Sequence, residues 1–429
     1  MFGFANFLLL ALFAAAVFDL IFALARGGGL RGALHGLWNT PHLLFGQQLG
    51  EWRLQLGRIL FAAGLAAYEI SVVFCNSMAR QNWAWVQGVM GPVLEWLAFL
   101  CFGAKILFGT RYTWRELLAG GALYFIARWV YFNSQNIWWI GIVVAVLAAK
   151  DVPLRRPLQV YFASGCSAMA VVLALHFAGI VAPDLTSERM GALRGTYGYG
   201  HPNTFGGLVF GLVLAYALLR AQKVRWVDCL LVFAVGVFLL VGPASRSAAL
   251  CTLALAVGLV FCRLRAGHSV PRWWPGTCAG MVGLTAAVSY LLPLLVIKVG
   301  PWNNDIGPAW LAKLDSLLTC RISLTWMAYR LLDVKIAGQV FNWPTVDNSF
   351  AFALFQFGPV VAALLGILFA AALWGHAKQG RRVEVCCLFA MLAYAYMEVQ
   401  PFHLTTNPTA LLLCGAVFAQ TSARWQKIE

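Results

Sequence analysis

Charge is scarce in this chain: of 429 residues, 11% are Asp, Glu, Lys or Arg, against about 25% in an ordinary soluble protein. A water-soluble globule is excluded, because too little charged surface exists to clothe one. Acidic residues are fewest, 16 against 31 basic, which leaves a net charge of +15. The sequence also lacks any CxxC, His-x-His or Asp-x-Asp spacing, any internal repeat and any low-complexity tract. Zinc ribbons, paired-carboxylate metal sites and repeat solenoids are thereby set aside. Eleven cysteines are present, but they lie scattered in apolar runs, as Cys75, Cys101, Cys229 and Cys251 do. They read as small buried hydrophobes and not as a disulfide framework.

What fills the sequence is apolar: 61% of residues are hydrophobic, and about 20 apolar residues suffice for one helix across a bilayer. Continuous apolar runs, from 3–25 to 406–420, predict thirteen spans, give or take one. Among them are 116–133, 135–149, 349–374 and 383–399. The expected fold is an all-α polytopic integral membrane protein of about 12–14 transmembrane helices, with residues 1–429 as a single transmembrane domain. The first run has no basic residue before it and exceeds the apolar core of a typical signal peptide, so it reads as a membrane helix.

An excess of +15 would suggest nucleic acid in a soluble protein. Here Arg111/Arg115, Lys150/Arg155/Arg156, Arg220/Lys223/Arg225, Arg263/Arg265/Arg272 and Lys378/Arg381/Arg382 all fall between spans on one side. Loops rich in Lys and Arg mark the cytoplasmic face, so topology explains the charge and no nucleic-acid partner is expected. Residues 183–202 and 298–348 then face outward. The second stretch holds Trp302, Trp310, Trp326 and Trp343, and its residues 310–335 contain no Gly or Pro. The stripe Leu318, Ile322, Trp326, Tyr329 predicts an amphipathic helix lying against the membrane surface.

On the outward face three helix starts are expected: His201-Pro202-Asn203, Ser245-Arg246-Ser247 and Asp347-Asn348-Ser349. Each supplies a capping side chain and unpaired backbone N–H groups, which together would favour an anion. Arg189, Arg194, Arg246, Arg321 and Arg330 are also outside, and guanidinium groups bind phosphate in pairs of hydrogen bonds. Arg321 and Arg330 are nine residues apart, half a turn out of phase on a regular helix. Both cannot face one phosphate unless the helix breaks between them, and Arg321 is favoured.

Plainer roles compete with these. Arg246 could snorkel to lipid head groups, His201 and Asp347 could be caps only, and Arg330 with Lys335 could form a solvated face. Glu69, Glu95 and Arg128 fall inside apolar spans, where an ionisable group is costly; a Glu–Arg pair fixing helix packing is the expectation. Glu398 would either reach the outer site or end its helix at the interface.

The segments Arg194-Gly-Thr-Tyr-Gly-Tyr-Gly-His201-Pro-Asn-Thr-Phe-Gly206, Ser245-Arg246-Ser247, Arg321-Ile-Ser-Leu-Thr-Trp326 and Asp347-Asn348-Ser349-Phe350, with Leu354-Phe-Gln-Phe-Gly358 following, resemble the bacterial O-antigen polymerase and ligase superfamily (Wzy/WaaL-like). The likeness is greatest to Gram-positive-type capsule or exopolysaccharide repeat-unit polymerases. It implies a GT-C-like glycosyltransferase that uses a polyprenyl-diphosphate-linked glycan as donor and another as acceptor, outside the cytoplasmic membrane, without a metal or other cofactor. The positions matching the family's diphosphate-binding arginines are Arg194, Arg246 and Arg321. Ligases of the superfamily resemble this chain but carry His where Asp347 stands, which favours a polymerase. Membrane lipids, a flippase and a chain-length regulator are the partners such an enzyme implies.

The chemistry expected is attack by a sugar hydroxyl on an anomeric carbon, with a lipid diphosphate leaving. Arg246 and Arg321, aided by Arg194, Arg330, Asn203, Asn348 and Ser247, are expected to bind the diphosphate. Asp347, then His201, then Glu398 are the candidate bases. A ligase that transfers finished glycan to a lipid or protein is the first alternative. A flippase is the second, disfavoured because only Arg128 falls near mid-membrane.

Overall fold

Backbone N–H and C=O groups inside lipid must be satisfied within the segment that carries them, so apolar spans become helices. The computed structural model describes residues 2–25, 29–46, 51–181, 187–189, 192–296 and 307–418, and the chain is about 77% helical. In order the helices are α1 (Phe2–Ala25), α2 (Gly29–Asn39), α3 (Glu51–Cys75), α4 (Ala79–Asn82), α5 (Gly91–Phe108) and α6 (Trp114–Ser134). There follow α7 (Ile137–Ala148), α8 (Arg155–Phe177), α9 (Pro202–Leu219), α10 (Trp226–Val241), α11 (Arg246–Leu264) and α12 (Trp274–Leu291). Then come α13 (Ala309–Leu317), α14 (Arg321–Leu331), α15 (Ser349–Phe352), α16 (Pro359–Lys378), α17 (Arg382–Met397) and α18 (Cys414–Val417). Two short antiparallel pairs are the only sheets among the described residues, His42–Leu43 with Arg111–Tyr112 and Ser187–Arg189 with Ala192–Arg194.

Eight helices among the described residues are long and apolar enough to cross a membrane. The protein is an all-α, multi-pass membrane protein. Its outer helices carry bare apolar faces, as at Phe13, Val227, Val241, Val257 and Ile367, where lipid replaces a protein partner. Inside, α3 packs on α5 and α8, α10 on α11, α11 on α17, and α12 on α16.

Two expected spans take other forms. Residues 137–148 form a 12-residue helix, too short to cross a hydrocarbon core about 30 Å thick. It is buried from Trp139 to Ala148, as an all-apolar helix in a bundle core should be. The last expected span, 406–420, is a 3₁₀ segment, Pro408–Leu413, followed by the single turn α18. Asn407 starts it by accepting the Ala410 N–H at 3.1 Å, and Ala410 and Leu411 are wholly buried. Bundle walls, and not lipid, surround both segments, so neither has to be long.

The span expected at 349–374 is broken. A short helix and one wide turn end at Gly358, whose φ of +89° no L side chain adopts readily, and α16 begins at Pro359. A Cβ on Gly358 would collide with the Ile336 carbonyl, so the extended 332–348 loop crosses the chain at this point. The amphipathic helix expected over 310–335 is also two helices. Thr319 and Cys320 adopt left-handed φ of 59° and 64° between α13 and α14, and buried Asp315 caps the second helix by accepting the Ile322 N–H at 2.7 Å and the Ser323 hydroxyl at 2.8 Å.

The five basic clusters gather at one end of the bundle. Lys150 Nζ donates to the Arg111 carbonyl at 2.7 Å, Arg220 pairs with Asp228 at 3.1 Å, and Arg382 Nη1 reaches the Arg265 carbonyl at 2.5 Å. The starts of α9, α11, α14 and α15 and the end of α17 meet at the other end.

Candidate functional site

Each of those helix ends is fixed by local chemistry. His201 has extended backbone angles and its Nδ1 accepts the Asn203 N–H at 3.1 Å, with Pro202 in the first turn. Pro there lacks only an N–H that would have no helical partner. Asn348, and not Asp347, caps α15: its Oδ1 accepts from the Phe350 and Ala351 N–H groups at 2.9 and 3.1 Å, while its Nδ2 donates to Ser289 at the end of α12 at 3.1 Å. Ser245 precedes α11 without a side-chain cap bond.

Glu398, immediately beyond the end of α17, is the hub. Its Oε1 accepts from Arg321 Nη2 at 2.6 Å, from Ser247 Oγ at 2.8 Å and from Asn203 Nδ2 at 3.2 Å. Asn203 Oδ1 in turn accepts from Arg194 Nη2 at 2.9 Å, and Arg194 also donates to the Ala244 carbonyl at 3.2 Å. The Ser349 hydroxyl donates to the Glu398 carbonyl at 2.5 Å. Arg194, Ser247, Arg321, Ser349 and Glu398 are all buried. Two guanidinium groups and one carboxylate therefore share a single network drawn from five helix ends.

Burial pushes the Glu398 carboxyl above its ordinary range, and the Arg321 guanidinium and the Ser247 hydroxyl oppose that rise. Asp347 is close enough for its charge to act on Glu398 as well, and it is half-buried. Asp347 and Glu398 thus place a second carboxylate beside the hub.

Arg321 is committed. Its Nε bonds the Met397 carbonyl, its Nη1 donates to the Leu318 carbonyl at 2.9 Å and to Thr319 Oγ1, and its Nη2 donates to both Glu398 and Ser247. With all its donor nitrogens engaged, Arg321 acts here as the counter-ion that positions Glu398. Arg246 opens α11 with an exposed side chain next to buried Ser247. Arg330 is exposed and lies over the Trp326 ring at 5.7 Å, on a helix unbroken from Arg321. It does not join the network, as the half-turn offset dictates. His201 is exposed at the rim, and the side chain of Arg189 lies outside the described residues.

The Glu–Arg pair expected inside the membrane does not form among the described residues. Arg128 Nε instead donates to Asn6 Oδ1 at 2.7 Å, and its guanidinium stacks on Phe132 at 4.5 Å. Glu69 is buried in α3 against Gly165 of α8. Helix azimuth decides this, since a residue's place in an apolar run does not reveal which neighbour it faces.

Sequence reasoning missed Asp315, Gln400 and Tyr394. Gln400 Nε2 donates to the Asn203 carbonyl at 3.2 Å, and its Oε1 accepts from Tyr394 OH at 2.7 Å. The signal was in α9: Gly207 and Gly211, four residues apart, lie where a Cβ would strike Gln400 and the Thr405 carbonyl. Small residues at that spacing let a second chain segment approach a helix closely.

Next to the hub a partly open apolar cleft, about 1000 Å³ of space including its open mouth, is bordered by Leu123, Val146, Val282, Leu364, Phe369 and Ser349. Compared with known proteins, the chain matches no family model, no curated protein and no solved structure.

Proposed function

We propose that the chain is a polysaccharide polymerase of the bacterial cytoplasmic membrane, joining polyprenyl-diphosphate-linked oligosaccharide repeat units at the outer face by metal-independent glycosyl transfer. The basic end would face the cytoplasm. The observation that supports this function is the convergence of Asn203, Ser247 and Arg321 on Glu398, with Arg194 bound to Asn203, although up to 204 residues separate them in the sequence. A bundle that served only as an anchor has no need of such a buried charged network.

In the proposed reaction, a hydroxyl oxygen of the acceptor sugar forms a bond to the anomeric carbon of the donor. The bond from that carbon to the diphosphate breaks, and its electron pair leaves with the lipid diphosphate. Negative charge grows on the departing phosphate, so fixed cations aimed at it lower the barrier most. Arg246, exposed beside the network at the start of α11, would meet the diphosphate. Arg194 and Arg321 supply field and shape from beneath. The hydroxyl proton needs an acceptor: Asp347 is the best candidate, because Glu398 already accepts three hydrogen bonds and His201 Nδ1 is used as a cap. The apolar cleft bordered by Ser349 would take isoprene units of a lipid tail.

The test is purified protein in liposomes containing lipid-diphosphate repeat units, with products resolved by length. A ladder of longer glycans is expected. A single transfer to a foreign acceptor would indicate a ligase, and translocation of intact substrate without new bonds would overturn the enzymatic assignment.

A further inference from the structure

At the basic end, opposite the proposed site, two cavities adjoin. The first has about 720 Å³ of space including its mouth, and is bounded by Arg155 at the start of α8, Arg220 and Lys223 after α9, and His376, Arg381 and Glu384 at the α16–α17 corner. The second, about 390 Å³ of space including its mouth, runs on from it and shares His376, Arg381 and Leu412. Its remaining walls are mostly small: Ala371, Ala372, Gly375, Gly415 and Ala416.

The charges do not cancel. Four cationic side chains face two carboxylates, Glu384 in the wall and Asp228 bound to Arg220 at 3.1 Å. Arg155, Lys223 and Arg381 have no ion-pair partner among the described residues. Three basic side chains from three different segments thus converge on a recess whose floor is apolar, with Leu158 and Leu218 beneath the charges. A phosphate would satisfy the guanidinium groups, and a free phosphate would leave the small-residue furrow empty. An anion that also carries a hydrocarbon chain fills both. Basic pockets between membrane helices on the cytoplasmic side suit anionic lipid head groups in this way.

We propose that the paired cavities bind an anionic glycerophospholipid, its phosphate among Arg155, Lys223 and Arg381 and one acyl chain in the furrow along α16 and α18. The site is independent of the glycosyl-transfer function, and its test needs no activity. Delipidated full-length protein in detergent is mixed with phosphatidylglycerol, phosphatidylcholine or inorganic phosphate, and bound molecules are counted by native mass spectrometry. Phosphatidylglycerol is expected to bind at least about tenfold more tightly than phosphatidylcholine, and the double variant R155Q/R381Q to lose that advantage. Arg272→Gln removes an exposed basic-end charge outside the cavities and should leave binding unchanged.

A Cβ at Gly415 meets nothing within 4 Å, so Gly415→Leu can fill the furrow without touching the charges. It should weaken phosphatidylglycerol while sparing inorganic phosphate, and it remains informative if the double variant does not fold. Equal retention of phosphatidylcholine, unchanged binding in both variants, or inorganic phosphate binding as tightly as the lipid would each overturn the proposal.

Discussion

Arg321 Nη2 and Glu398 Oε1 lie 2.6 Å apart, both side chains buried, and the bond joins the start of α14 in the long loop to the end of α17. Neither residue has another opposite charge bonded to it among the described residues, so each depends on the other. Removing one partner of such a pair strands a buried charge, at about 3–5 kcal/mol. Glu398→Gln and Arg321→Met should each lower thermal stability markedly, whereas Arg321→Met/Glu398→Gln should cost less than the sum. Additive losses in that double-mutant cycle would show that the two charges are not coupled.

The arginines should separate by role in the polymerisation assay. Arg246→Ala is expected to abolish the product ladder with the fold intact, judged by elution profile and circular dichroism. Arg330→Ala, which removes an exposed side chain stacked on Trp326, should leave the ladder unchanged. The reverse pattern would move the diphosphate site onto the other side of α14.

Asp347→Asn keeps the shape of a half-buried residue and removes its proton-accepting charge. A general base contributes about 10²–10⁴-fold to a rate. Turnover should fall within that range while donor binding, measured by retention of lipid-linked substrate, stays the same. Undiminished turnover would remove Asp347 from the reaction.

Close approach to α9 gives a prediction about packing alone. A Cβ at Gly211 would stand 2.5 Å from the Thr405 carbonyl and 2.9 Å from Thr406 Cα. Backbone cannot rotate away as a side chain can, so Gly211→Ala should destabilise by about 1–3 kcal/mol. At Gly283 of α12 nothing lies within 4 Å, and alanine there should be neutral or slightly stabilising. Similar melting of the two variants would mean that the 400–406 segment does not press on α9.

Near the basic end, the Cys262 and Cys386 sulfurs are 3.5 Å apart on α11 and α17. Mild oxidation with copper phenanthroline should join them in one cross-linked peptide, lost in Cys386→Ser and reversed by thiol. Failure to cross-link while other cysteines react would place the two helices in a different register.

Much of the fold was legible because bilayer physics is blunt. Apolar runs bounded by charge marked α1, α3, α8, α9, α11 and α12, and the five basic clusters predicted a common end. Failures came where protein replaces lipid as solvent. Residues 137–148 and 408–417 are apolar enough to read as spans, but a helix enclosed by neighbours need not cross anything. Gly358 breaks the 349–374 run because the 332–348 loop crosses there, a contact between distant segments.

The candidate site divides in the same way. Local rules identified Pro202, Asn203, Ser247 and Asn348 as residues of helix starts and set Arg321 and Arg330 out of phase, because capping and helical phase act within a few residues. Glu398 ranked last among the possible bases, since nothing nearby in the chain reveals that three donors from α9, α11 and α14 converge on it.

By itself, then, the sequence determined a multi-pass helical membrane protein with a basic end and an arginine-bearing opposite end, because hydropathy and charge are additive along a chain. Only the tertiary structure decided that Arg321 is the bound partner of Glu398, with Arg246 left exposed beside them. Hydrogen bonds are directional and short, so the roles of residues 194 to 398 depend on which helix ends meet.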